Sequence, residues 1–297
     1  MNVGYQSGGG NQQMVSQPMV IQNQQMSNPQ MMGQPMQPVY VPMPMGQYFF
    51  VTDPLAELMY AKKASVKQRF ELFETLTGCE TPNQYYVYTE DQEGNKKYLF
   101  KAKEHSSCCC RLCCTGNSRE FDLNFRRITY TSQGHEKKID FAKFKRPFKC
   151  TCCCCNRPEM SGNFEGERTG YIGKISEPCT LCDPKIHISN SSNVIVYTIS
   201  CNCCQCGYCC RNNLMGRCSE VDFSIYKGSS IDGQPVGNIH KKFKGCTSLI
   251  GDADAFKLTF PVDAAPEEKF LLISATVMLD YLYYEDKDDR NASINKT

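Results

Sequence analysis

The sequence predicts a mainly-β domain of barrel or sandwich type behind a disordered N-terminal tail. Three observations lead to it. From Asn83 onward, short segments rich in β-branched and aromatic residues recur with Gly, Asn and Pro between them, the pattern of closely spaced antiparallel strands. No alternation of strands with long helices appears, so a parallel sheet is not indicated. The first 52 residues carry no charged side chain and are rich in Gln, Met, Pro, Gly and Asn. Such a stretch cannot bury enough apolar surface to offset its chain entropy.

Within the tail, Pro35 and Pro38 form a minimal PxxP spacing, the pattern read by SH3 domains in a polyproline helix. In a segment this rich in Pro the match is cheap, and a bare linker accounts for it as well. A helix is expected next. Asp53 is placed to cap it, Pro54 suits its first position, and Gly78 suits its stop. Between them Leu55, Leu58, Met59, Val66, Phe70, Phe73 and Leu76 fall roughly at helical spacing.

Strands follow. Tyr85–Tyr88 and Lys97–Phe100 flank the turn residues of 91–95 and read as a hairpin. Further strands are expected at Phe121–Tyr130, Lys138–Phe144, Tyr171–Ile175, Lys185–Ser189, Val194–Ser200, Val221–Tyr226, Val236–His240 and Phe256–Phe260. One apolar run, Phe270–Tyr284, stands apart. It is shorter than the roughly 20 residues needed to span a bilayer, and it contains Asp280. Pro266, Glu267 and Glu268 form a good helix start, with carboxylates near the positive end of the dipole. A helix over 267–285, enclosed by the barrel rather than inserted in a membrane, is the expectation.

Cysteine dominates the chemistry. The chain has 297 residues and 21 cysteines, many contiguous. Adjacent cysteines seldom bond each other, because disulfide geometry needs more separated Cα atoms. With no secretory signal at the start, a reducing compartment is expected. The net charge of +2 gives no general reason to expect nucleic acid or bulk anionic lipid as a partner. The block Cys150, Cys152, Cys153, Cys154 and Cys155 follows Lys143, Lys145, Arg146 and Lys149. Several thiols beside basic residues suit S-acylation, since two or more chains are needed for stable anchoring. A second group, Cys179, Cys182, Cys203 and Cys206, has the spacing of a four-thiolate zinc set, although surplus cysteines offer several registers. No Gly-rich phosphate loop, serine nucleophile elbow or HExxH motif is present.

The order of several segments resembles the phospholipid scramblase family across roughly Asp53 to Glu285. They are Phe70–Thr81, Ser118–Phe121 after the first cysteine pairs, Phe144–Cys150, Pro178–Cys179, Gly251–Asp263 and Leu279–Glu285. The resemblance implies a tubby-like closed barrel of about twelve strands around a central hydrophobic C-terminal helix. The domain would run over 53–286, with tails at 1–52 and 287–297. It implies acylation at the Cys150–Cys155 block, attachment to the cytoplasmic face of the plasma membrane, and a smaller cytosolic or nuclear pool. It also implies calcium-activated, ATP-independent movement of phospholipids between leaflets rather than covalent catalysis, with self-association a further expectation. An adaptor role in signalling or transcription is the alternative. Calcium would be held weakly by Asp252, Asp254 and Asp263, whose spacing departs from an EF-hand at Phe256, Lys257 and the twelfth position. The segment Gly237–Gly245 resembles the family's nuclear-import stretch, but its basic residues read more simply as a solvated hairpin face.

Overall fold

The computed structural model describes residues 53, 55–69, 82–90, 94–107, 118–130, 135–150, 156–166, 168–180, 183–209, 220–242 and 255–284. These all belong to one compact unit, Val51–Thr297. The expected tails at 1–52 and 287–297 lie outside the described residues.

Twelve antiparallel strands close into a barrel. They are β1 (Lys63–Gln68), β2 (Gln84–Glu90), β3 (Lys96–His105), β4 (Phe121–Tyr130), β5 (Glu136–Arg146), β6 (Glu159–Phe164), β7 (Gly170–Ser176), β8 (Lys185–Asn190), β9 (Ile195–Ser200), β10 (Glu220–Lys227), β11 (Gly237–Lys242) and β12 (Ala255–Thr259). Each strand pairs with its neighbours in sequence, and β1 pairs with β12 to complete the ring. In that seam Ala64 faces Leu258 and Val66 faces Phe256. The barrel alternative is therefore the one adopted, and the sandwich is excluded.

Period-two burial explains which way each strand faces. Val221, Phe223 and Ile225 point inward from β10, as do Phe121, Leu123 and Phe125 from β4 and Ile186 and Ile188 from β8. Register shifts at Val87/Tyr88, Phe125/Arg126, Gly162/Asn163 and Ile188/Ser189 break the ladders. Such bulges add local bend and twist, which closure requires.

The expected helix after Asp53 is not formed as such. Asp53 is not the N-cap: its carboxylate accepts from the Leu55 amide at 2.9 Å, and Leu55 caps a single 3-10 turn, Ala56–Leu58, without a side-chain cap bond. The chain then extends into β1, with Ala64 and Val66 buried at period two. A helix here would leave β2 and β12 as open edges, so edge pairing overrides local periodicity. Phe70, Phe73, Leu76 and Gly78 lie outside the described residues. Strand β6 also escapes sequence reading, because Ser161, Gly162 and Asn163 are poor strand formers. Gly162 is needed there: a Cβ at that position would lie 2.4 Å from the Phe144 ring.

The barrel encloses the C-terminal helix α2 (Pro266–Tyr283), while a short helix α1 (Cys206–Cys209) lies between β9 and β10. Every α2 residue from Lys269 to Leu282 is buried. Phe270 meets the rings of Phe100, Phe125, Phe141 and Phe144 at centroid distances of 5.5, 4.7, 5.6 and 5.7 Å. Ser274 and Thr276 donate back to the carbonyls of Phe270 and Leu272, both at 2.9 Å, which satisfies their hydroxyls inside the core. Among the described residues no helix is long and apolar enough to cross a membrane.

The closest approach of the barrel wall to α2 generates a prediction. Gly173 has φ 156°, and a Cβ there would lie 2.2 Å from the Ser189 carbonyl oxygen and 2.9 Å from Leu271 Cδ1. Gly173→Ala is expected to destabilise the domain by about 1–3 kcal/mol, the usual cost of overpacking. Gly233→Ala, where a Cβ meets nothing within 4 Å, is expected to be near neutral. Urea unfolding of the two variants measures the difference.

Candidate functional site

The two rims of the barrel differ in kind. At one, the connections from odd to even strands occupy 69–83, 106–120, 147–158, 177–184, 201–219 and 243–254. Here α2 ends. The inward alternation of several strands also ends here in a buried charge: Glu104 after Phe100 and Ala102, Arg146 after Ala142 and Phe144, Lys241 after Ile239, Glu177 after Ile175, and Arg119 before Phe121. A buried charge is tolerated only when paired and hydrogen-bonded. Lys241 donates to Asp280 Oδ1 at 2.7 Å and Tyr85 donates to Oδ2 at 2.9 Å. The Lys241 ammonium also lies over the Tyr284 ring, 3.9 Å from its centroid. Tyr281 donates to Glu104 at 2.8 Å, and Arg119 lies 3.8 Å from the same carboxylate. Tyr283 donates to Glu177 at 2.6 Å, and Arg157 pairs with that carboxylate. Burial, reinforced by Glu177, holds the Tyr283 hydroxyl well above its ordinary pKa, so it remains a donor. The arrangement is a polar collar that fixes the last turn of α2.

Of this collar the sequence singles out Asp280, and it reads Arg146 as part of a basic flank and Lys241 as part of a basic stretch; Glu104, Arg119 and Glu177 are not singled out. The signal available was parity: each charge continues the inward phase of its strand by one further step. Lys241 also corrects the reading of Gly237–Gly245 as a solvated face. In β11, His240 and Lys242 face outward toward Asp222 and Glu220, at 2.8 and 3.0 Å. Lys241 faces inward and is 2% exposed. An import receptor could reach it only by breaking its pair with Asp280.

The acylation candidates fall at the same rim. Cys150 is exposed at the end of β5's following segment, and Asn156 donates to its carbonyl at 2.9 Å. The chain thus leaves and returns at one neck; Cys152, Cys153, Cys154 and Cys155 lie outside the described residues. The basic flank is less available than its sequence suggests. Lys143 pairs with Asp122 at 2.6 Å and Lys149 with Glu159 at 2.9 Å. Arg146 is buried over the Phe121 ring, whereas Lys145 is exposed.

Of the zinc candidates, Cys179 is exposed and Cys203 half-buried. Cys206 begins α1, and Cys182 lies outside the described residues. The Cys203 amide donates to Asp183 at 3.0 Å. Its thiol is pushed up to about 11, first by hydrogen bonding to Asp183 and then by burial. Zinc binds thiolates, so binding here would have to displace that proton. Among the described residues no three His, Cys, Asp or Glu side chains converge on a metal position.

The calcium candidates fall only partly within the described residues. Asp252 and Asp254 lie outside the described residues, just before Ala255 at the start of β12. Asp263 follows the other end of β12 and pairs with Lys227 at the end of β10. Its carboxyl is held below the ordinary range, chiefly by that hydrogen bond. The strand between, Ala255–Thr259, extends about 13 Å, and Phe256 and Leu258 are buried within it. Beside Asp263 a cleft of about 290 Å³ is lined by Ile195, Val196, Tyr197, Lys227, Gly228 and Glu268. Glu268 is already engaged there by the Tyr197 hydroxyl and the Ala265 amide, both at 3.1 Å. A cation would have to displace Lys227.

The collar supports a stability prediction. Lys241→Met leaves the Asp280 carboxylate buried without its cation and is expected to cost about 3–5 kcal/mol. Adding Asp280→Leu should recover much of that loss, although Tyr85 then lacks its acceptor. A double-mutant cycle on denaturation midpoints reads the coupling; additive losses would contradict a direct pair.

Comparison with known proteins completes the description of the site. The family model described as Scramblase matches residues 43–286. Phospholipid scramblase 1 of Homo sapiens is 33% identical over 227 residues, covering 74% of this chain and 62% of that protein. Phospholipid scramblase 2 of Bos taurus is 30% identical over 226 residues, covering 74% and 67%. Phospholipid scramblase 4 of Homo sapiens is 27% identical over 246 residues, covering 78% and 64%. The chain therefore spans less than two thirds of some of these relatives.

Proposed function

The chain belongs to the scramblase family, and on that footing we propose that it moves phospholipids between membrane leaflets without ATP and in response to calcium. The observation that carries this reading is the family match across residues 43–286, nearly the whole barrel and its helix. Attachment would come from acyl chains on Cys150, Cys152, Cys153, Cys154 and Cys155 at the cytoplasmic face of the plasma membrane. Calcium would act weakly through Asp252, Asp254 and Asp263.

The fold constrains how a lipid would travel. The barrel is filled by α2 and the core side chains, so no headgroup passes through its interior. A path through hydrocarbon needs a polar groove or a thinned bilayer. That places the work at the outer surface, with assembly of several copies as one way to thin the bilayer. The enclosed helix favours a second reading, a tethered adaptor that binds lipid or protein and transports nothing. In that reading the Pro35–Pro38 segment would engage SH3-type partners, and release from the membrane would supply a cytosolic or nuclear pool.

Two measurements follow. Purified protein in vesicles carrying a headgroup-labelled lipid is expected to equilibrate the label between leaflets faster with millimolar calcium than without. Unchanged rates in both conditions would leave the adaptor. Replacing all five cysteines of the block with Ala is expected to reduce the membrane-bound fraction severalfold in cells. An unaltered partition would remove the block as the principal anchor.

A further inference from the structure

The cleft of about 290 Å³ beside Asp263 carries both signs of charge. Lys227 comes from the end of β10, Asp263 from the turn between β12 and α2, and Glu268 from the first turn of α2. Lys227 and Asp263 pair with each other, yet their side chains are 65% and 58% exposed. An ion pair so exposed is weak and opens readily to a ligand. Glu268 has both of its fixed bonds on one oxygen: the Tyr197 hydroxyl and the Ala265 amide donate to Oε2. Burial, reinforced by Glu268, holds that hydroxyl above its ordinary range, so it stays a donor. Among the described residues no group bonds Oε1. A bare cation in this cleft strands Lys227, and a bare anion strands Asp263. A zwitterion satisfies both, its negative group on Lys227 and its positive group on Asp263 and Glu268 Oε1.

The surroundings of the cleft are apolar. Val194 precedes the lining residue Ile195, and Val262 precedes Asp263. Val236 is tied to β10, its amide donating to the Ile225 carbonyl at 2.7 Å. All three valines are exposed, Val262 fully. Apolar side chains left bare around a polar cleft mark a binding face, here one for a ligand with a charged head and an apolar body. The cleft is just under the roughly 300 Å³ at which drug-sized pockets begin, so it holds a headgroup and not acyl chains. We propose that it takes the ethanolamine phosphodiester headgroup of a phospholipid, with the phosphate on Lys227, the ammonium between Asp263 and Glu268, and the valines against the acyl chains. A primary ammonium donates to carboxylates, whereas a trimethylammonium has no N–H and is recognised by aromatic cages. A serine headgroup would bring a further carboxylate toward Asp263 and Glu268. The inference takes from the reading above only that the ligand is a phospholipid, and adds where its headgroup sits. Because this rim lies opposite the Cys150 neck, the unacylated protein is the form free to present it.

The test uses full-length protein produced without acylation, with a calcium chelator present so that no ion competes at Asp263. Flotation compares vesicles of phosphatidylcholine alone with vesicles of phosphatidylcholine and phosphatidylethanolamine. Binding is expected to be severalfold tighter to the mixed vesicles. Lys227→Met and Asp263→Asn, both at exposed positions, should each remove that preference and leave the urea midpoint little changed. The chain has no tryptophan, so Val262→Trp supplies a reporter beside the cleft. Brominated phosphatidylethanolamine should quench it, and adding Lys227→Met should relieve the quenching. Equal binding to both vesicles, a preference that survives both variants, or an unquenched reporter overturns the proposal. So does tighter binding to phosphatidylserine vesicles, which would mark a general attraction to negative charge. Calorimetric binding of soluble glycerophosphoethanolamine with no vesicle preference overturns the lipid as occupant. Headgroup preference without movement of label between leaflets keeps this site and removes the transport reading. Movement of label without headgroup preference does the reverse.

Discussion

Antiparallel pairing of β1 with β12 is the constraint on which the rest of the structure depends. Without it the barrel is an open sheet with two bare edges, and α2, apolar on every side, has no enclosure. The seam joins the two ends of the domain, as in Ala64 opposite Leu258, so its closure entropy must be offset before the core rewards it. The helix itself supplies part of that offset. Near its start, Lys269 donates to the carbonyls of Leu58, Met59 and Ala61 at 3.0, 3.1 and 2.9 Å, just ahead of β1. Near its end, Asp280 holds Lys241 of β11 and Tyr85 of β2. Those two strands flank β12 and β1. The helix therefore staples the seam at both rims, and barrel closure and helix burial form one cooperative event.

This coupling bears on any mechanism in which α2 leaves the barrel to enter lipid. Removal would break the ties of Asp280, Tyr281 and Tyr283 together and expose the inward faces of twelve strands. Lys269 would lose three carbonyl acceptors, and burial already lowers its proton affinity. Asp280, in the last turn of α2, would enter lipid without its partners at a cost of at most about 2.5–3.5 kcal/mol, the insertion-scale figure for the bilayer centre, before the lost core is counted. Polar groups that are satisfied only inside the barrel make α2 an internal pillar.

Much of the fold was legible from the sequence because inward phase is visible wherever both strand residues and turn residues are strong. Val221, Phe223 and Ile225 alternate plainly, and Pro266 with two glutamates marks the start of α2. The failures have physical causes. Lys63–Gln68 contains one β-branched residue, so nothing local opposes a helix; its strand state is imposed by two neighbouring edges. Glu159–Phe164 has a glycine where the Phe144 ring must pass, and glycine erases strand propensity. The site was less legible. Glu104, Arg119, Arg146, Glu177 and Lys241 look like surface charges until the strand phase shows that they point inward.

An even number of strands has a topological consequence that unites these features. A meander of twelve strands returns the chain to the rim from which β1 began, so α2 must start at that rim. Running through the barrel, it carries the chain to the opposite side, where it meets the connections that hold every cysteine. The chain thus enters the barrel at the cysteine-free rim and leaves it at the cysteine rim. The same end of the molecule gathers the buried collar, which fixes the helix, and the exposed thiols and Phe148, which face outward. The opposite rim, where the chain enters, carries Tyr60, 84% exposed, and Val262, fully so.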